Sequence, residues 1–177
     1  MSTPIHTIGH STRTLDEFID LLQAYGIRQL IDIRTAPRSR HNPQFNREGL
    51  SASLEKVGIA YRHMPGLGGL RRPKADSGNT GWRNASFRGY ADYMQTPQFE
   101  DNLRELITLA EKVPTAVMCA EAVHWRCHRS LLADALVVRG VPVEHVHSRA
   151  GSQPHALTPF AELKGTRVTY PASQAAS

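Results

Sequence analysis

Two hydrophobic patterns alternate along the chain and predict strands separated by helices. Short runs rich in apolar and β-branched residues occur five times, as is typical of strands that are buried on both faces. Between these runs, apolar residues recur every three or four positions, which indicates the buried face of a helix. The predicted strands cover residues 5–8, 29–34, 59–64, 115–119 and 141–147.

Capping residues mark where the predicted helices begin. Thr14, with Glu17 three positions later, fits a capping box, and Thr96 is followed by Pro97 at the favoured first helical position. The predicted helices follow Thr14, Asn46, Ser86 and Thr96, and a fifth runs over about 130–139. Beyond 147 the pattern weakens and predicts one helical turn at 159–163, an edge strand at 166–170 and a flexible tail at 171–177.

Strands that alternate with helices predict an α/β fold with right-handed crossovers. We expect residues 1–170 to form a single domain with a mostly parallel five-stranded sheet flanked by helices, in a Rossmann-like three-layer arrangement. Ligands of such sheets bind at the carboxyl ends of the strands. The polar segments that follow the first, second and fourth strands should therefore meet along one rim.

The most reactive of these segments is 119–130, which holds both cysteines of the chain. A cysteine close to a helix N-terminus and to basic side chains is favoured as the thiolate. We therefore predict a catalytic role for Cys119 or Cys127 as nucleophile and for Glu121 or His128 as general acid or base. The alternative is that Cys119 is a small buried apolar residue.

The other two segments suggest anion binding. Backbone N–H groups of the turn after the first strand can bind an anion at a helix start. Asp32 and Arg34 lie on the same side of their strand, and they form either a structural ion pair or an oxyanion clamp. The residues expected to bind the ligand are Gly9, His10, Ser11, Asp32, Arg34, Ser39, Arg40 and Arg129.

The charge of the 177-residue chain is consistent with an anionic partner. Its formal net charge is +5, which favours phosphate-bearing small molecules, nucleotides or nucleic acid, although no dense Lys/Arg tract marks a nucleic-acid arm. Residues 65–85 contain five glycines and four basic residues. This segment is either a basic lid, in which Trp82 can stack on a ring, or a disordered excursion.

Three function classes remain open from the residues alone. The first is an anion-binding protein with thiol-dependent catalysis. The second is a zinc or iron site in the loop formed by Cys119, Glu121, His124, Cys127 and His128, although paired CxxC spacing is lacking. The third is a non-catalytic nucleic-acid-binding or regulatory module. We assign structural or solvated roles to the remaining histidines, His6, His145 and His155 among them.

The sequence constrains the cellular location of the protein more than its cofactors or its assembly. Two cysteines cannot form a disulfide framework, no secretory signal opens the chain, and no apolar run approaches the roughly 20 residues of a membrane helix. We expect a cytoplasmic protein with reduced thiols and no membrane partner. The sequence indicates no cofactor and no oligomeric state.

The order and spacing of these motifs over residues 4–148 resemble the domain of unknown function 488 (DUF488) family. The motif positions are Gly9, His10, Ser11, Asp32, Arg34, Pro37, Ser39, Cys119, Glu121, Cys127, His128 and Arg129. The resemblance implies a small cytoplasmic α/β protein with no settled activity. A more distant likeness is to rhodanese-like domains, in which a strand also ends in cysteine. Arg129 stands ten positions after Cys119, farther than in their tighter loop, so no catalytic role is carried over from them.

Overall fold

Five apolar segments pair side by side as parallel strands at the centre of the molecule. The computed structural model describes residues 3–172. The strands are β1 (Ile5–Gly9), β2 (Gln29–Asp32), β3 (Ala60–His63), β4 (Thr115–Cys119) and β5 (Val143–Ser148). A sixth strand, β6 (Gly151–Pro154), pairs antiparallel with β5 at one edge. The sheet order is β3-β2-β4-β1-β5-β6, which confirms the predicted mostly parallel α/β fold and adds one antiparallel strand.

Five helices cover the two faces of this sheet. They are α1 (Leu15–Ala24), α2 (Arg47–Lys56), α3 (Ala85–Tyr93), α4 (Pro97–Lys112) and α5 (Arg129–Val137). Apolar residues of α1 and α2 share one core cluster with alternate residues of the strands. The other three helices share the second cluster. Because side chains alternate along β4, Met118 contributes to the first cluster and Cys119 to the second.

Helix starts follow the predicted caps with one shift. The hydroxyl of Thr14 accepts from the Glu17 N–H at 3.1 Å, and that of Thr96 accepts from the Phe99 N–H. Helix α3 begins earlier than predicted, because Asn84 caps it. The side chain of Asn84 accepts hydrogen bonds from the N–H groups of Ser86 and Phe87. Asparagine and serine are equally suitable capping residues, so residue type alone did not distinguish Asn84 from the predicted Ser86.

The segment after β6 differs from the sequence prediction. A small antiparallel hairpin forms from β7 (Glu162–Lys164) and β8 (Arg167–Thr169), and β8 does not join the main sheet. The predicted helical turn at 159–163 is therefore wrong, because β7 begins within it. The strand predicted at 166–170 is confirmed as β8, which pairs with β7 and not with the main sheet. Gly165, with φ of 61°, allows the tight connection. Of the predicted tail at 171–177, residues 173–177 lie outside the described residues.

The glycine-rich segment 65–85 is held against α3. The carboxylate of Asp92 accepts hydrogen bonds from the Lys74 N–H, the Ser77 hydroxyl and the Asn79 amide. Trp82 packs edge-on against Phe87 and Phe160 and lies close to Tyr170. The indole therefore belongs to an aromatic cluster of the protein itself.

The strand order places a crevice at the carboxyl edge of the sheet. Strands β1 and β4 are parallel neighbours, yet the helices that follow them, α1 and α5, pack on opposite faces of the sheet. A topological switch of this kind opens a crevice at the carboxyl ends of the two strands. Across residues 3–172, none of the helices is both long enough and apolar enough to cross a membrane.

Candidate functional site

Both thiols of the chain meet at the carboxyl end of β4. Cys119 is the last residue of the strand, and Cys127 lies just before α5. Their sulfur atoms are 2.7 Å apart, with the Cys127 S–H directed at Cys119. The first N–H of α5, on Arg129, points at the Cys127 sulfur at 3.5 Å. Both side chains are almost completely buried, at 3% and 4% exposure.

The surroundings separate the two thiols electrostatically. Burial by itself raises the pKa of Cys119, but the S–H donated by Cys127 and the positive charge of Arg129 outweigh burial and lower the pKa below its ordinary value. Burial and the adjacent Cys119 raise the pKa of Cys127 well above its ordinary value. The surroundings therefore favour ionisation of Cys119 over ionisation of Cys127, which is the hydrogen-bond donor of the pair.

Arg129 lies close to this pair, and its positive charge has few hydrogen-bond acceptors around it. The side chain is fully buried. Its Nη2 donates to the Ala122 carbonyl at 3.1 Å, while Nε and Nη1 have no hydrogen-bond partner among residues 3–172. A buried cation that lacks a counter-charge is costly. The charge of this guanidinium favours ionisation of Cys119, whose thiolate would supply the missing negative charge.

A cavity of about 470 Å³ opens beside the thiols. We call it the rim pocket. Its volume falls in the usual range for small-molecule sites. The residues that line it are Arg34, Thr35, Ala36, Arg38, Gly69, Leu70, Asn84, Ser86, Phe87, Cys119, Ala120, Glu121, Arg126, Cys127 and His128. Three arginines face one carboxylate, so the pocket has a positive balance.

Asp32 and Arg34 form a buried ion pair at the edge of the rim pocket. The guanidinium of Arg34 donates to both oxygens of Asp32, at 2.9 and 2.7 Å, and also to the Phe45 carbonyl at 2.7 Å. Tyr61 donates its hydroxyl to the same carboxylate. This is the structural ion pair that the sequence left open, and it commits most of the donors of Arg34 inside the protein.

The turn after β1 supports the loop after β4. The N–H groups of His10 and Ser11 donate to the carbonyls of Cys119 and Ala120, at 2.9 and 3.0 Å. A Cβ on Gly9 would overlap the carbonyl of Glu121, so only glycine allows this close approach. These backbone donors are used within the protein.

The side chain of His10 is buried as well. Its ring stacks on Phe45, with centroids 4.4 Å apart, and its Nε2 lies 3.5 Å from Nη1 of Arg34. Burial lowers the pKa of His10. The turn and Arg34 are thus neighbours of the thiols, although the turn does not line the rim pocket.

Ser39 and Arg40 organise a different part of the surface. The N–H of Ser39 donates to Asn46, and its hydroxyl accepts from the Asn42 N–H at 2.9 Å. Arg40 is exposed. Neither residue lines the rim pocket, whereas Arg38 and Arg126 do. Sequence reasoning did not select those two arginines, because exposed loop arginines carry no pattern that distinguishes one from another.

The two predicted acid–base residues occupy contrasting positions. Glu121 is an exposed residue that lines the rim pocket. His128 lies deeper, with its Nδ1 at 3.6 Å from the Cys127 sulfur, and burial lowers its pKa to about 4. At neutral pH this imidazole is uncharged, and burial makes it a weak proton acceptor.

The five residues of the proposed zinc or iron loop do not converge on one point. In the described part of the chain, the one group of three or more potential ligands that do converge is His124, His145 and His155. Only His124 is common to the two sets. Sequence reasoning assigned His145 and His155 structural or solvated roles. The two residues come together through β5 and the segment after β6, and no local spacing in the sequence reveals this.

A model of the family described as "Domain of unknown function DUF488" matches residues 14–136 of the chain. The chain belongs to this family. No curated protein and no solved structure matches it. The matched region of the DUF488 protein includes both thiols, Arg129 and the Asp32–Arg34 pair, but it ends before β5. His145 and His155 therefore lie outside the part that the family model describes.

Proposed function

We propose that this DUF488 protein is a thiol-dependent enzyme that binds a small molecule with an anionic group in the rim pocket. The observation that carries this proposal is the position of Cys119. Its sulfur lines the pocket, accepts the S–H of Cys127 and lies close to the buried charge of Arg129. A cysteine whose thiolate is favoured in this way is a stronger nucleophile near neutral pH than an ordinary thiol.

The proposed anionic group is supported by the charges in the pocket. Arg34 already pairs with Asp32, so the arginines available to a ligand are Arg38 and Arg126, both of which are exposed. Guanidinium groups bind carboxylate and phosphate oxygens through paired N–H donors. Phe87 supplies apolar surface to the same cavity. The nucleic-acid hypothesis stays a prediction.

The proposed chemical step is nucleophilic. The Cys119 sulfur donates an electron pair to an electrophilic atom of the ligand and forms a covalent bond. The leaving group departs with the electrons of its own bond and takes a proton from water. Cys127 keeps its proton in this step, because burial and the adjacent Cys119 hold its pKa well above the ordinary value and burial lowers the pKa of the nearby His128 to about 4. No external oxidant or reductant takes part in this step.

Two alkylating reagents, one anionic and one neutral, test the proposal. Iodoacetate carries a carboxylate and iodoacetamide is its neutral counterpart, so the ratio of their rates separates anion binding from thiol reactivity. We expect Cys119 to react near neutral pH, with a higher iodoacetate-to-iodoacetamide ratio than a free thiol shows. Peptide mass spectrometry identifies the alkylated cysteine, and Cys127→Ser isolates Cys119.

Matched arginine variants give the control. Arg126→Gln should lower the ratio, whereas Arg104→Gln, at an exposed position of α4 remote from the pocket, should leave it unchanged. Inert thiols from pH 6 to 9 would refute the nucleophile. A ratio equal to that of a free thiol, and unchanged by Arg126→Gln, would refute anion binding.

A further inference from the structure

A chain of hydrogen bonds joins α5, the segment after β6, β5 and β1. Asp134 of α5 accepts from His155 Nε2 at 2.7 Å. His155 Nδ1 lies 2.8 Å from His145 Nε2 on β5. His145 Nδ1 lies 2.6 Å from the hydroxyl of Thr7 on β1. The two histidines are thus oriented from both ends, by a carboxylate and by a hydroxyl.

His124 completes a cluster with this pair. Its ring stacks on that of His145, with centroids 3.7 Å apart and planes 3° from parallel. The ligand atoms of His124, His145 and His155 all lie within 4.8 Å of one another. The Nδ1 of His124 is buried and has no hydrogen-bond partner within residues 3–172.

We infer that His124, His145 and His155 bind one divalent transition-metal ion of the zinc type. Imidazole nitrogens are the ligands that zinc, copper, nickel and iron accept readily. Three histidines that leave an open coordination position are characteristic of reactive zinc sites. This site is distinct from the cysteine-containing loop set that the sequence suggested, and it shares only His124 with it.

The outer partners of two ligands are already in place. Metal-bound histidines nearly always donate their second ring N–H to a carboxylate, carbonyl or similar acceptor. His155 does so to Asp134, whose other oxygen accepts from the Tyr170 hydroxyl at 2.7 Å. On metal binding, the proton of His145 moves from Nε2 to Nδ1 and is donated to Thr7, so no net proton is released there.

Two adjustments are needed to reach metal geometry. Nitrogens that share a tetrahedral ion at about 2.05 Å stand roughly 3.3 Å apart, so His145 Nε2 and His155 Nδ1 separate by about half an ångström. His124 must also turn, because the lone pairs of parallel stacked rings do not converge. It lies in the short turn His124–Arg126 and is only partly buried, so its movement does not require a change in the sheet or in a helix.

The charge of Arg129 acts against a cation, since it lies close enough to disfavour protonation of His124 and His145. The carboxylate of Asp134, bonded to His155, acts in favour of one. We therefore expect measurable but moderate affinity, and the neighbouring thiols must be removed as competing ligands in any test.

Binding of Zn²⁺ and Co²⁺ to the full chain without a histidine tag tests the inference. The protein is first stripped with a chelator, and Cys119→Ser/Cys127→Ser serves as the parent. We expect one Co²⁺ per chain, a visible d–d spectrum without a thiolate charge-transfer band, and a rise in thermal stability with Zn²⁺.

Single variants of that parent then locate the site. His124→Ala should weaken binding more than tenfold, and Asp134→Asn should weaken it by about 10- to 100-fold. His41→Ala, at an exposed histidine outside the cluster, should have no effect. Circular dichroism checks the fold of each variant. If Asp134→Asn does not fold, the His124→Ala variant alone tests the site. Absent binding to the thiol-free parent, or binding that His124→Ala leaves unchanged, overturns the inference.

Discussion

Two buried arginines on the same rim have opposite surroundings. Arg34, 6% exposed, donates to both oxygens of Asp32 and to the Phe45 carbonyl. Arg129 is 0% exposed and donates only to the Ala122 carbonyl among residues 3–172. One charge is neutralised by the fold, and the other remains to act on its neighbours. From this comparison we expect Arg34 to be mainly a structural residue and Arg129 to influence the thiol pair.

The largest expected effect follows from removing the partner of Arg34. Asp32→Asn leaves the guanidinium buried without a counter-charge, and we expect a loss of about 3–5 kcal/mol in the free energy of unfolding. Denaturant unfolding measures it. Asp20→Asn, which removes an exposed partner of Arg149, is the control and should cost less than about 1 kcal/mol. Equal costs for the two variants would show that the buried pair has no special weight.

A smaller loss in the free energy of unfolding is expected where the turn after β1 meets the loop that precedes α5. Gly9→Ala places a Cβ on the Glu121 carbonyl, and overpacking of this kind costs about 1–3 kcal/mol. Gly49→Ala provides the control, because it lies inside α2 with open space around it. We expect that control to gain about 0.5–1 kcal/mol. A neutral Gly9→Ala would mean that the two rim segments move apart easily.

The contribution of Tyr61 is smaller again. Tyr61→Phe removes one hydroxyl donor from Asp32 and leaves the two bonds from Arg34 intact. We expect a loss of about 1 kcal/mol, measured by the same unfolding experiment. Tyr25→Phe, which removes an exposed hydroxyl from the Ser148 carbonyl, should cost less. A larger loss at Tyr61 than at Asp32 would reverse the proposed hierarchy of the network.

The sequence predicted the elements of this comparison better than their contacts. Alternation of strand and helix patterns located β4 and α5, and the parallel topology placed Arg34 and Cys119 on one rim. Whether Arg34 pairs with Asp32 or faces a ligand depends on side-chain rotamers and on Phe45, eleven positions away. No periodicity contains that information, so the sequence left both interpretations open.

The histidine cluster was missed for a related reason. Its members come from a loop, from β5 and from the segment after an antiparallel strand that the pattern did not predict. Bringing His155 back to β5 requires the β5–β6 hairpin. A weak trace was present, because His145 and His147 alternate along β5 and so share a face. Without the hairpin, that trace pointed to neither His124 nor His155, the two residues that complete the cluster with His145.

The least change in stability, and the most informative change in chemistry, is expected at Arg129. Arg129→Met replaces a buried charge that has one hydrogen bond with an apolar chain of similar length. Such replacements are often neutral, so we expect the free energy of unfolding to stay within about 1 kcal/mol. The pKa of Cys119 should rise, because the guanidinium is one of the groups that lower it.

The pH dependence of Cys119 alkylation in a Cys127→Ser background measures this shift. Its midpoint should move to higher pH in Arg129→Met, so that the rate near neutral pH falls while the plateau at high pH is retained. Arg139→Met, just beyond the end of α5 and paired with Glu100, should leave the midpoint in place. An unchanged midpoint in Arg129→Met would assign the reactivity of Cys119 to its backbone and helix surroundings. The charge of Arg129 would then have no effect on the pKa of Cys119, and the two arginines would differ only in their hydrogen bonds.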